Sequence, residues 1–479
     1  MTAARAELLS LLRAQSARAG DAPLIGDDSG TTSAAELAER VDARARALRE
    51  AGVGPGTLVG TVAWPAAEFV GDVFAIISTG AVAVPLSRRL TPWELQRIQE
   101  RCPLDFLSAP SSSPAFPVTA ADWGERILSV GREGARRPAF EEAATAQITS
   151  GTTGYPRVAL RPAAALLAEA EHYRTALGLG PKSRLLCPVP LQHAYGFGLC
   201  AVAAPLAGAP VRCTTPDKPR LLLRDIAAGD VTLFVGVPPM LRLLAKAART
   251  GPHDGPAIGF LSAGMALDAH TAELVATRLG GHVGQVYGTT ETGPICVSRP
   301  APWQPGVPGP GAPLPGVRVG LSPVPGTGDG AGDAVTGLVT VRSPSMMLGY
   351  AEGGAVDATP LRDGFTTGDL ARWEGRNLVL AGRLSTSINV AGAKVSPEEI
   401  EAVLLAFPDV ATCLVSGMDD PVLGQRIRAT VTPDTVDLDK LERFCRERLS
   451  PSWVPHAFAS RAELPTTETG KVIRPRTGQ

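Results

Sequence analysis

Between Ser33 and Pro85 the chain switches repeatedly between two hydrophobic periods, and this alternation limits its possible folds more than any other feature. Leu37, Val41, Ala45 and Leu48 recur at helical spacing, and Gly52 is placed to stop the helix. The strand-like run Leu58-Val59-Gly60-Thr61-Val62 follows, then a helical pattern through Ile77, then the apolar Ala81-Val82-Ala83-Val84 before Pro85. Similar alternation returns from Leu185 to Leu279, with strand-like runs at Leu185–Val189 and Thr232–Val235. Parallel strands need long crossover connections, usually helical, so this pattern predicts α/β architecture with a mostly parallel sheet covered by helices. No unit repeats at a fixed period.

At 479 residues the chain is too long for one ordinary core, and two or more domains are expected. The stretch from Pro300 to Asp333 is rich in Gly and Pro, which by composition alone reads as a linker. After Arg383 the pattern changes to a helix at Pro397–Leu405, strands at Cys413–Met418 and Ile427–Thr432, and a helix at Leu438–Leu449. That is a compact α+β module.

Charge and cysteine usage exclude several classes. Lys plus Arg number 46 and Asp plus Glu 47, so no basic or acidic footprint points to nucleic acid or an anionic membrane. Seven scattered cysteines without metal-ligand spacing predict free thiols in a reducing compartment, the cytoplasm. Glu7, Arg13 and Arg18 interrupt the N-terminal leucines and alanines, against a signal peptide, and no apolar run reaches membrane-spanning length. There is no H-E-x-x-H pair and no G-x-S-x-G elbow, so zinc peptidase and serine hydrolase readings lack support.

One segment is built for phosphate. Residues 147–157 read Gln-Ile-Thr-Ser-Gly-Thr-Thr-Gly-Tyr-Pro-Arg: glycines admit close approach of backbone N–H groups, hydroxyls donate further bonds, and a cation follows. The spacing is not that of a Walker A loop. The loop instead resembles the phosphate-binding signature of the adenylate-forming enzymes, which include acyl- and aryl-CoA ligases, peptide-synthetase adenylation domains and luciferases. The resemblance continues in order through Tyr287-Gly288-Thr289-Thr290-Glu291-Thr292-Gly293, Thr367-Gly368-Asp369-Leu370, Gly382-Arg383-Leu384-Ser385, Gly392-Ala393-Lys394-Val395-Ser396-Pro397-Glu398-Glu399-Ile400-Glu401 and Thr469-Gly470-Lys471-Val472. A stand-alone acyl- or aryl-CoA ligase is the nearest pattern.

The resemblance implies a large N-terminal domain of layered sheets and helices, residues 1–383, and a small mobile α+β domain, 384–479, hinged at Ser385. It also assigns the Gly306–Gly316 stretch to the large domain. Thr149, Ser150, Gly151, Thr152, Thr153, Gly154 and Arg157 would embrace the β- and γ-phosphates of ATP; Thr290 would contact the α-phosphate and Glu291 would hold Mg²⁺, a hard cation that takes oxygen ligands. Adenine would lie against Tyr287 and the backbone of Ser262, Ala263 and Gly264, and Gly288 and Thr289 would also bind the nucleotide. Asp369 would take the ribose hydroxyls, with Arg383 as a second contact. Lys471, in a chain poor in lysine, would bridge carboxylate and α-phosphate in the transition state. His193 would stand at the mouth of the acyl pocket, beside Tyr195, Phe197, Val235, Gly236, Val237, Met240, Gly264 and Met265. After rotation, Lys394, Val395 and Ser396 would face the acceptor.

Three departures stand out. The loop ends in Pro156-Arg157-Val158 where the family usually has Pro-Lys-Gly; Ser385 stands where the hinge usually carries Asp or Lys; and Gly337-Leu338 lacks a Glu that often follows this Gly. The Asp that pairs with a substrate ammonium in amino-acid-activating relatives is absent from His193–Gly198, which favours an uncharged acyl or aryl acid. The expected partners are thus a small carboxylic acid, ATP and coenzyme A, without nucleic acid or membrane. The alternatives are transfer to a carrier-protein phosphopantetheine or an amine, or a nucleotide-binding protein with impaired catalysis.

Overall fold

The structure is a computed structural model that describes residues 2–88, 95, 98–100, 102–108, 127–129, 137–149, 157–215, 219–248, 257–304, 309–323, 336–384, 388–390, 393–395, 397–420, 424–449, 453–467 and 472–474. Helix α1 spans Ala3–Ala19, α2 Ala34–Glu50 and α3 Ala66–Thr79. The second of these forms where its period predicts. Ser33 and Glu36 make a reciprocal capping box at its start, and Leu37, Val41, Ala45 and Leu48 are buried on one face. Each leucine or valine buried there contributes roughly 1.5–3 kcal/mol.

Two eight-stranded sheets form the bulk of the large N-terminal part. The first runs in the order β14 (Gly293–Val297), β13 (His282–Thr289), β12 (Gly259–Ser262), β11 (Leu233–Gly236), β9 (Leu185–Cys187), β10 (Val211–Cys213), β1 (Pro23–Asp27) and β2 (Gly30–Ser33). Its edge pairs, β13–β14 and β1–β2, are antiparallel and the rest parallel. The second runs β18 (Ala355–Asp357), β17 (Gly349–Glu352), β8 (Arg157–Pro162), β7 (Ala143–Thr149), β4 (Val82–Leu86), β3 (Leu58–Val62), β5 (Phe106–Ser108) and β6 (Ile127–Ser129).

The alternation thus reports only part of the molecule. A third sheet, β15 (Arg318–Ser322), β16 (Gly337–Arg342), β19 (Phe365–Glu374) and β20 (Asn377–Arg383), is antiparallel throughout. The described part of the Gly/Pro-rich stretch packs against it rather than linking domains. Leu314 and Val317 are buried in one cluster with Tyr287 and Ile295, and the Leu378 N–H donates to Gly311 O at 3.0 Å. Positions 305–308 and 324–335 lie outside the described residues.

The smaller C-terminal part has its own core. β21 (Ile388–Val390), β22 (Ala393–Val395), β23 (Thr412–Asp420), β24 (Gly424–Thr432) and β25 (Ala457–Ser460) form its sheet, with helices Pro397–Leu405 and Leu438–Arg446. Ile400, Leu404, Val415, Ile427 and Leu441 meet there. In the large part, Arg161 and Glu169 form an ion pair at 2.6 Å with side chains 0% and 3% exposed, so neither charge has bulk water to fall back on. Arg161 also donates to Ser345 O and Gln147 Oε1, tying β8 to the segment before β17. No helix among the described residues is long and apolar enough to cross a membrane.

Candidate active site

In the first sheet the strand order turns at β9, with β10 on one side and β11 on the other, and such switch points open a crevice beyond the carboxyl ends of the strands. The predicted acyl-pocket residues leave those ends. His193 follows β9 and is exposed, at the start of a short helical stretch in which Phe197 N–H donates to its carbonyl. Tyr195 is half-buried and its hydroxyl donates to Leu261 O at 3.0 Å, fastening this stretch to β12.

Val235 and Gly236 end β11, and Val237 and Met240 begin the next helix, Pro238–Ala247. Ser262 ends β12, Ala263 is buried, and Gly264 holds φ +80° with nothing nearer to an added Cβ than Val237 Cγ1 at 4.0 Å. The backbone there is open to close approach, as an adenylate would need. Phe197 is fully buried, its ring packed edge-on against Phe69 with centroids 6.3 Å apart, so it serves the core. Met265 is exposed. An open cleft lies on the β10 side of the switch point, lined by Trp64, Arg88, Leu191, Gln192, Cys213 and Thr214.

The second nucleotide motif is a tight hairpin tip. β13 and β14 pair antiparallel through Thr289 and Gly293, and Gly288 lies so close to its partner strand that a Cβ would sit 2.5 Å from Gly293 O. Thr289 and Thr292 cap one another: each backbone N–H donates to the other's hydroxyl, at 3.3 and 3.2 Å. Thr290 and Glu291 are held between them, both half-buried. Glu291 Oε1 accepts from the Tyr350 hydroxyl at 2.7 Å and its carbonyl accepts from Met347 N–H.

The ribose motif adjoins it. Asp369 on β19 is paired in register with Arg383 on β20; Arg383 Nε donates to Oδ1 at 2.5 Å and the Tyr287 hydroxyl donates to Oδ2 at 2.9 Å. Thr367 Oγ1 completes the knot, 3.2 Å from the Tyr287 hydroxyl and accepting from Asp369 N–H. Burial foremost, with the Asp369 carboxylate, pushes the Tyr287 phenol far up, so it stays a donor. Burial disfavours the Arg383 cation, but Asp369, Tyr287 and Glu291 more than offset this and its pKa is raised. Each Asp369 oxygen keeps a lone pair beyond these bonds, so the carboxylate retains capacity for two sugar hydroxyls.

Of the phosphate loop, the ends are placed. Thr149 closes β7 and Arg157 opens β8, and the two stand opposite one another in that antiparallel pair. Ser150, Gly151, Thr152, Thr153 and Gly154 lie outside the described residues, as do Ser385, Ser396 and Lys471. Lys394 sits on β22, and the Val395 side chain is fully buried in the small core. Sequence reasoning missed Tyr350. Its bond to Glu291 spans 59 positions, and no local pattern announces it beyond an aromatic residue after Gly349.

The motif order and this joining of two nucleotide motifs on one carboxylate agree with the family match. A profile of the AMP-binding enzymes covers residues 12–351, and one of the AMP-binding enzyme C-terminal domain covers 399–471. The chain belongs to the AMP-binding enzyme family. Among its relatives, 2-succinylbenzoate–CoA ligase of Geobacillus kaustophilus is 30% identical over 94% of this chain and 93% of its own length. Feruloyl-CoA synthase of an Amycolatopsis species is 29% identical over 92% of each. Naringenin synthase of Pestalotiopsis fici is 30% identical over 92% of the chain, which spans only 18% of that much longer protein.

The o-succinylbenzoate CoA synthetase of Bacillus subtilis, solved with its acyl-adenylate, superposes with a TM-score of 0.79 at 25% identity over 96% of each chain. An anthranilate CoA ligase bound to anthranoyl-AMP gives 0.81 at 21% identity over 97% of this chain and 95% of its own, a likeness of fold. The chain is an AMP-forming acid–thiol ligase.

Proposed function

We propose that this ligase activates an aryl or apolar acyl acid, and that the residues assembled at the carboxyl ends of β11, β12 and β13 do so together with the small domain. The observation carrying this reading is Asp369, held by Arg383 and Tyr287 beside the Glu291 hairpin, where a nucleotide would be gripped by ribose and phosphate at once. Asp369 takes the ribose hydroxyls; Ser262, Ala263, Gly264 and Tyr287 flank adenine; Thr290 and residues 149–154 with Arg157 hold phosphate. Glu291 fits a hard cation, being a half-buried carboxylate with one oxygen oriented by a phenol. Mg²⁺ held there would neutralise phosphate charge.

The substrate carboxylate attacks the α-phosphorus in line and pyrophosphate departs; Lys471 stabilises the charge that develops between carboxylate and phosphate. The small domain, divided from the large one at 383/384, then turns about Ser385, and a thiol displaces AMP from the acyl carbon. Names of relatives support an aromatic acid, since they include feruloyl-CoA, 2-succinylbenzoate and indoleacetate ligases. Apolar Val235, Val237 and Met240 suit such a group. A carrier-protein phosphopantetheine is the alternative acceptor. Seven free, buried cysteines support a cytoplasmic location.

ATP–pyrophosphate exchange with the purified protein, run against aryl, short-chain and medium-chain acids plus amino acids, tests this. Exchange with aromatic or apolar acids alone is the expected result. Exchange confined to amino acids would overturn the pocket assignment. Adding coenzyme A or a phosphopantetheinylated carrier then separates the two acceptors by which one yields a thioester.

A further inference from the structure

Tyr350 occupies a place between two phosphate-handling segments. It lies on β17, in register with Ala159 of β8, and only 4% of it is exposed. On one side its hydroxyl donates to Glu291 Oε1 at 2.7 Å. On the other the Arg157 guanidinium lies 3.5 Å from the centroid of its ring. The backbone around it is stitched to the same neighbours: Met347 N–H donates to Glu291 O at 2.8 Å and Leu348 N–H to Leu160 O at 2.7 Å.

We propose that Tyr350 is a positioning residue for the adenylation step, fixing the Glu291 carboxylate for the metal with its hydroxyl and holding Arg157 at the root of the glycine-rich loop with its ring. The geometry also gives a reason for the arginine that replaces the lysine usual there. A flat guanidinium stacks on an aromatic face, whereas an ammonium is a compact, strongly hydrated point charge. An ordinary phenol is protonated near neutral pH, so Tyr350 is a donor in the range in which an enzyme works. A carboxylate that accepts one such bond keeps its charge and most of its lone pairs while losing rotational freedom, which is what a ligand awaiting a cation requires. The inference rests on the reading that Glu291 holds Mg²⁺.

The test compares Tyr350→Phe, Tyr350→Leu and the control Glu291→Gln in the full-length protein. Three quantities are measured: the melting temperature, the affinity for metal-free ATP by calorimetry, and the affinity of the ATP-bound protein for Mn²⁺ by electron paramagnetic resonance. Tyr350→Phe keeps the ring and is expected to melt near wild type, bind metal-free ATP equally well, and lose Mn²⁺ affinity about tenfold, the effect of one lost bond to a charged group. Tyr350→Leu loses the ring as well and is expected to weaken metal-free ATP about two- to fivefold in addition. Unchanged Mn²⁺ affinity in Tyr350→Phe, with a loss in Glu291→Gln, overturns the role of Tyr350 and leaves the metal reading standing. Unchanged Mn²⁺ affinity in Glu291→Gln overturns both. A Tyr350→Phe protein that melts early and loses both affinities in parallel shows a merely structural tyrosine and equally overturns the proposal.

Discussion

Asp369 and Arg383 stand opposite one another on adjacent strands of the third sheet, and the Tyr287 hydroxyl, arriving from the first sheet, takes the carboxylate oxygen that Arg383 leaves. One side chain thereby joins two sheets and two sequence motifs. Asp369→Asn keeps the shape but replaces an ion with an amide that cannot satisfy both donors. ATP KM in the exchange assay is expected to rise about tenfold or more, with little change in melting temperature, because Arg383 is 42% exposed and rehydrates.

Lys471→Ala should separate the two half-reactions. Adenylation measured by exchange is expected to fall by about 100- to 1,000-fold, the scale of losing one preorganised group that stabilises transition-state charge. Thioester formation from a supplied acyl-adenylate should fall much less. An equal loss in both would place Lys471 in general folding or nucleotide binding.

Arg161 and Glu169 predict stability rather than catalysis. Arg161→Met alone strands a carboxylate whose side chain is 3% exposed, at a cost of about 3–5 kcal/mol. The double substitution Arg161→Met with Glu169→Leu should recover most of that, since a buried pair is often replaceable by well-packed apolar groups. Guanidinium denaturation of the two variants checks the difference.

Lys246 reaches from the helix Pro238–Ala247 of the large part to Val410 O of the small part, at 3.1 Å. Lys246→Met should loosen that docking by roughly 0.5–1.5 kcal/mol. Limited proteolysis is expected to cut between the two parts, near residues 384–388, about two- to tenfold faster in the variant. Cleavage elsewhere would relocate the boundary.

Helix α2, strand β3 and helix Pro397–Leu405 could be drawn from the sequence because each carries its own period and its own stop or cap. The antiparallel third sheet could not. Its first strand, Arg318–Ser322, lies in the stretch whose composition looks like a linker, and its strands form by pairing with one another and covering Leu314 and Val317. At the site, the segments carrying Glu291, Asp369 and Arg383 could be picked out because each stands in a short motif that resembles one of a known family, in that family's order. Tyr350 could not, since a hydrogen bond across 59 positions leaves no local trace.

The sequence by itself determined the family and the reaction class, because glycine, hydroxyl and carboxylate spacing within each motif is set by local backbone chemistry. Tertiary structure alone decided which side chains those motifs share. Phe197 became core against Phe69, Val395 turned into the small domain, and Asp369 came to bind Tyr287 and Arg383 together. The physical reason is that facing and pairing depend on the packing of whole sheets, where burial is allotted among distant segments and not read along one of them.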